Sequence, residues 1–185
     1  EAAAPQTRDA ASSASSDLDP VEPEPAVMRA ATPAAPSLED AAAGGDPVAR
    51  YVLAQRYLDA GTTEEAAVLM RRAAEQGIPA AQFHFARMLE AGNGVPADPS
   101  RARLWMERAA ENGNVRAMHA AGALFINAET TPDNQEAAAR WFEQAALHGV
   151  TDSQFNLALL FQSGYGVPES PADAYAWMLI AAENG

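Results

Sequence analysis

The side chains in this sequence that could do chemistry are three histidines, a scatter of serines and a surplus of carboxylates. A histidine placed between a serine and an acid would run nucleophilic catalysis, and histidines at helical spacing would hold a metal. His84, His119 and His148 meet neither requirement, because each stands alone in a different stretch of the chain. No Gly-x-Ser-x-Gly elbow is present to present a serine nucleophile. Cys is absent, which removes thiolate nucleophiles, disulfides and Cys-based zinc sites together. Glycine-rich loops can cradle phosphates when a lysine follows them. Here Gly92-Asn93-Gly94-Val95-Pro96 recurs as Gly164-Tyr165-Gly166-Val167-Pro168, and the chain holds no Lys at all. The loops therefore read as turns, while Glu64-Glu65 and Asp173 read as helix-start charges. The expectation is a protein that is not an enzyme and uses no metal or cofactor.

Charge narrows the partners. The formal net charge is -13, and the 12 basic residues are all Arg. That balance disfavours nucleic acid, which needs clustered cations, and disfavours an anionic membrane surface. No apolar run approaches the roughly 18 to 20 residues of a membrane span. Ala-rich, Lys-free composition fits a GC-rich bacterial genome. The chain opens on Glu1, so it reads as a piece of something longer, with any targeting signal expected outside it.

Residues 1–36 are almost wholly Ala, Pro, Ser, Asp and Glu, as in Val21-Glu22-Pro23-Glu24-Pro25, with no aromatic residue. Such a stretch buries too little apolar surface to offset the entropy of ordering, so a disordered acidic linker is expected there. Fully extended it would reach about 120 Å, enough for a tether. A short docking motif around Val27-Met28 is the functional alternative.

From about residue 46 the chain repeats itself. Trp105, Trp141 and Trp177 are spaced by 36 residues each time, and Leu69 holds the same column one copy earlier. Leu104-Trp105-Met106-Glu107-Arg108-Ala109-Ala110-Glu111-Asn112-Gly113 is matched by Ala176-Trp177-Met178-Leu179-Ile180-Ala181-Ala182-Glu183-Asn184-Gly185. Four units result, at 47–78, 79–114, 115–150 and 151–185, and each reads as two helices. In the first helix, Ala81, Phe85, Leu89 and again Ser153, Leu157, Phe161 form one helical stripe. Ala86, Gly122 and Ala158 stand beside it in a column small enough for close helix approach. Second helices open on Asp98-Pro99, on Ser170-Pro171-Ala172-Asp173, and on the capping box Thr62-Thr63-Glu64-Glu65. They close at Gly77, Gly113, Gly149 and Gly185. The third unit lacks the paired glycines, so its Ala128–Pro132 turn is expected to be looser or differently shaped. Ser37–Gly44 would form a short capping helix over the first unit. The far end of the array should leave an apolar edge exposed, unless the sequence stops inside a longer array.

The unit A-x-x-x-[LF]-[AG]-x-x-[LF]-x-x-G-x-G-V-P followed by W-x-x-x-A-A-E-x-G resembles the SEL-one-like repeat, a relative of the tetratricopeptide repeat. The resemblance implies an all-α fold: a right-handed α-solenoid of four antiparallel helix pairs over residues 37–185, preceded by the disordered tail. It also implies protein–protein interaction. The order of an acidic Ala/Pro linker and then such repeats is similar to the extracytoplasmic part of the alphaproteobacterial polar organelle development scaffolds. That likeness implies a periplasmic location and a part in polar localisation or envelope organisation.

In tetratricopeptide-like solenoids the first helices line a concave groove, so the resemblance also nominates a partner site. The column two residues before the core apolar position holds Tyr51, Phe83, His119 and Phe155, an aromatic ring in every copy. The next groove column holds Gln55, Arg87, Ala123 and Leu159, and the one after it Leu58, Glu90, Ile126 and Gln162. Large rigid rings anchor interfaces well; equally, rings in this column could pack between adjacent first helices. A protein or peptide partner in the groove, bound by a monomer, is the leading expectation. The alternatives are cell-wall glycan stacking on the groove aromatics or on an exposed Tyr165, and regulation of an envelope enzyme.

The Trp columns sit between small Ala residues and are expected in the core. Trp141→Ala should therefore cost about 3–5 kcal/mol of stability. An unchanged melting temperature for that variant would contradict the assignment.

Overall fold

The computed structural model of the protein describes residues 35–185. The expected linker up to residue 34, with its Val27-Met28 motif, lies outside the described residues. Among them are nine α-helices and no strand: α1 (Leu38–Ala43), α2 (Pro47–Asp59), α3 (Thr63–Glu75), α4 (Pro79–Ala91), α5 (Pro99–Glu111), α6 (Val115–Ile126), α7 (Pro132–Leu147), α8 (Thr151–Ser163) and α9 (Pro171–Asn184). Each helix packs chiefly on the one before it and the one after it in the chain. That packing of each pair on the next makes the fold an α-solenoid. α2, α4, α6 and α8 are the first helices of the four pairs. No helix among the described residues is long and apolar enough to cross a membrane.

Local chemistry sets the helix ends. Asp98 accepts from the Arg101 amide at 3.0 Å, Ser170 from that of Asp173 at 3.3 Å, and Asp46 from that of Ala49 at 2.8 Å. Each satisfies an amide that the first turn leaves without a partner. The capping box expected at Thr62 does not form. Thr62 is folded back onto the end of α2, with both its amide and its hydroxyl donating to the Tyr57 carbonyl. Its side chain makes no cap bond to α3.

The Gly-x-Gly turns do more than stop helices. Gly92 and Gly164 end α4 and α8 in the left-handed conformation. Gly94 and Gly166 lie directly against the preceding pair's second helix. A Cβ on Gly94 would collide with the Thr63 carbonyl, and one on Gly166 with the Gln135 carbonyl. The turn is thus a docking contact between units. In the third pair, which lacks these glycines, the turn is short and tied down, not loose. Asn134 Nδ2 donates to the Glu129 carbonyl at 2.7 Å, and Thr131 caps α7 through the Asn134 amide at 3.2 Å. α7 begins about one turn earlier, relative to its Trp, than α5 or α9. With no glycine turn docked on it, the start of α5 around Pro99, Ser100, Arg103 and Leu104 stays an open depression.

The core is built from small residues. Ala54, Ala86 and Ala158 are fully buried, as are the second-helix alanines Ala73, Ala74, Ala109 and Ala145. Phe85, Met70, Leu89 and Leu157 are the largest side chains sealed among them. Trp141 is buried, whereas Trp105 and Trp177 are half-buried at the edges of neighbouring clusters. Trp105 meets Phe85 edge-on at 5.6 Å.

A polar clamp repeats along the stack. Gln82 Nε2 donates to the Ala74 carbonyl at 3.1 Å, and Gln154 Nε2 to that of Ala146 at 3.1 Å. Asn112 then donates to Gln82 at 2.8 Å, and Asn184 to Gln154 at 3.1 Å. One buried glutamine so joins the end of the previous second helix to the end of its own. Arg50 does the same at the head of the array, reaching the Ala42 carbonyl of α1 at 3.0 Å and Gln76 at 2.9 Å. α1 therefore stands where a preceding second helix would. In the third pair the clamp position is Met118, buried in the second cluster. At the other end, α9 exposes Tyr175, Leu179 and Ile180.

The third pair also exchanges volumes. Phe142 stands where Met70 and Met106 stand in earlier pairs, and Gly122 faces it where the others have Ala. A Cβ on Gly122 would come within 2.9 Å of the Phe142 ring. Gly122→Ala should gain about 1 kcal/mol in helix propensity yet lose more to overpacking, for a net destabilisation of about 1–2 kcal/mol. Adding Phe142→Met should recover most of that loss in urea unfolding. Strictly additive effects of the two changes would contradict the pairing.

Candidate functional site on the first-helix face

The four first helices bring a band of rings and cations together. Tyr51 on α2 is half-buried, and its hydroxyl accepts from Gln55 Nε2 at 2.8 Å. Its ring lies 5.9 Å from that of His84 on α4, and His84 meets Phe83 edge-on at 5.6 Å. The Arg116 guanidinium, reaching across from α6, sits 4.8 Å from the Phe83 ring centroid. Farther along, His119 Nδ1 shares a 2.7 Å hydrogen bond with Ser153 Oγ of α8. Ser153 is fully buried where Ala49, Ala81 and Ala117 stand in the other copies, so this bond satisfies a buried hydroxyl.

The aromatic column is thus not uniform. Phe83 is 7 % exposed and packs into the second core cluster, while it also lines a depression with Arg87 and Arg116. Tyr51 and His119 are half-buried and bonded to neighbours. Phe155 is free, at 50 % exposure, and Leu159 one turn on is 40 % exposed. Arg87 and Glu90 pair with each other at 2.6 Å on the surface, and Gln162 is exposed. Leu58 and Ile126, expected to line the groove, are half-buried against the first and third core clusters, as Ala123 is against the third. Tyr165 is likewise half-buried against the third cluster, not exposed for stacking on sugar.

Two residues of the band escaped the repeat pattern. Arg116 occupies a column that holds Val48, Ala80 and Asp152 elsewhere, and His84 one that holds Val52, Ala120 and Asn156. Reading columns averages such single-copy residues away. The available signal was local: Arg116 and His119 are three apart on one helix and share a face.

Burial, and after it the Arg116 charge, shifts the ionisation of the neighbouring rings. Burial pushes the His84 pKa below the ordinary histidine value, and the Arg116 charge pushes it the same way. Burial raises that of Tyr51, with Arg116 acting against it. Arg116 makes no ion pair among the described residues. Phe83, Arg87, Arg116, His119, Ala120 and Val150 line a shallow depression of about 280 Å³ here. No group of His, Asp and Glu among the described residues is placed to hold a metal.

The Sel1 repeat family matches the chain at residues 47–78, 79–114, 115–150 and 151–185. Among solved structures the chain is similar to a Sel1 repeat protein from Oxalobacter formigenes, at 36% identity and a TM-score of 0.73, over 80% of this chain and 44% of that one. It is also similar to c5321, a protective antigen of uropathogenic Escherichia coli strains with an SLR fold, at 29% identity and a TM-score of 0.69. That match covers 79% of this chain and 32% of the antigen, so the chain spans less than half the length of either structure. None of the curated proteins matches it.

Removing the Arg116 charge should show in His84. In Arg116→Gln the His84 titration, followed by NMR, should move up towards the ordinary histidine range while staying below it, because burial remains. A midpoint that falls or stays fixed would contradict the placement of Arg116 beside this ring.

Proposed function

Because the chain belongs to the Sel1 repeat family, whose repeats are in general protein–protein interaction modules on typically non-enzymatic scaffolds, we propose that this protein holds a protein or peptide partner on the face of its first helices. The observation that carries the reading is the exposed pair Phe155 and Leu159, at 50 % and 40 %, one turn apart on a first helix. They continue the band that Tyr51, His84 and His119 begin. A face of this kind suits a partner segment for two reasons. Its backbone is fixed by the packed pairs beneath, so little is lost in ordering it. Its rings supply rigid contact area at low entropic cost.

The protein acts as a monomeric scaffold without a cofactor, on the periplasmic side of a bacterial envelope, in polar localisation or envelope organisation. The order of acidic linker and repeats supports that setting, by its likeness to the polar organelle development scaffolds. Phe83 belongs to the core, so the clean test of the face uses exposed positions.

The test is capture from a bacterial envelope extract on the immobilised full chain, beside a Phe155→Ser/Leu159→Ser version of equal helicity. The expected result is a protein retained by the first and reduced at least tenfold on the second. Equal retention by both would move the partner site off this face.

A further inference from the structure

We infer that the depression between α4 and α6 is a carboxylate subsite, which takes an Asp or Glu side chain of an acidic partner segment. The inference rests on the reading of the first-helix face as the partner surface and names the chemistry of what binds there.

Charge complementarity is the first ground. The chain carries 25 acidic residues against 12 arginines. Yet the side chains lining this depression are Arg87, Arg116, His119, Phe83, Ala120 and Val150, with no carboxylate among them. Arg87 is paired with Glu90, so the unbalanced charge here is that of Arg116, a local positive site on a protein of net charge -13. A cation set in such a hollow attracts an anionic group to one place.

The second ground is the state of the two arginines. Arg116 is exposed and has no carboxylate partner among the described residues, and it lies over the Phe83 ring at 4.8 Å. Phe83 is itself held in the core, so this cation–π contact holds the guanidinium at the depression. With no ion pair among the described residues, its N–H groups are available for the two parallel bonds that a carboxylate accepts. Arg87 is paired to Glu90 at 2.6 Å, but the two side chains are 60% and 43% exposed. An exposed pair of this kind is weak, so an incoming carboxylate can share or replace Glu90.

The third ground is the floor. Phe83, Ala120 and Val150 are apolar, which fits the methylene stem behind a carboxylate better than a fully polar anion.

The experiment uses the full chain, labelled with ¹⁵N, titrated at constant ionic strength with N-acetyl-Phe-Glu-amide, its Gln and Lys analogues, and inorganic phosphate. NMR reads the Arg116 and Arg87 Nε signals and the His84 and His119 rings. The Glu peptide should shift Arg116 Nε and bind at least tenfold more tightly than the Gln or Lys analogue. Arg116→Gln should abolish that preference, and Arg116→Lys should restore only part of it. Both changes fall on an exposed side chain, and circular dichroism confirms the fold. The inference is overturned if the Gln peptide shifts Arg116 equally, if Arg116→Gln leaves Glu binding unchanged, or if phosphate matches the peptide. Equal binding of all three peptides with shifts confined to Phe155 and Leu159 would overturn the carboxylate subsite while sustaining the partner face. No shift at any first-helix residue would also overturn it, and the capture comparison at Phe155 and Leu159 would still decide the face independently.

Discussion

Two helices can approach only as closely as the side chains between them allow, and on the first helices of this stack one column is alanine or glycine throughout. Ala54, Ala86, Gly122 and Ala158 form that column, buried in the core beside the second-helix alanines and the Met70, Met106 and Phe142 column. No single pair holds enough apolar area to fold by itself. Close approach lets modest residues such as Met70 and Leu157 seal a continuous core through four pairs. The exchange of Gly122 and Phe142 in the third pair obeys the same limit, since the larger ring is accommodated by the smaller partner.

Close packing leaves helix ends buried, and their carbonyls need donors. The clamp made by Gln82 and Gln154, with Arg50 in the same role at the head, supplies them. It also ties α2, α4 and α8 to the helices on either side, whereas α6, with Met118 at the clamp position, is held by apolar packing and by the His119–Ser153 bond. The positions of Tyr51, His84, Arg116 and His119 follow from the stack beneath. The third pair departs from the pattern in three ways: Met118 replaces the clamp, the glycine turn is missing, and Gly122 faces Phe142. The same pair supplies Arg116 and His119. Local rules are most often broken where a site is built.

Much of this was legible from residue types. The period of the Trp columns gave the units, the small column gave the seam, and Asp98-Pro99 and Ser170-Pro171 gave helix starts. Thr62 was misread because a capping signature does not reveal that the residue folds back onto the helix before it. Phe83 and Phe155 occupy one column and look equivalent as text. One is buried and the other exposed, because Arg116 and the second cluster cover the first, while no described residue closes over the second to the same extent.

The sequence by itself determined the all-α class, the repeat count and the helix boundaries near their caps. These depend on interactions within a few residues and on a period that recurs four times. Only the tertiary structure decided which rings of a column are open, that Gly94 and Gly166 are contacts between units, and that Arg116 stands over Phe83. Those facts depend on side chains from different pairs, about 30 residues apart in sequence, and a repeat pattern carries no information about a residue that occurs in one copy alone.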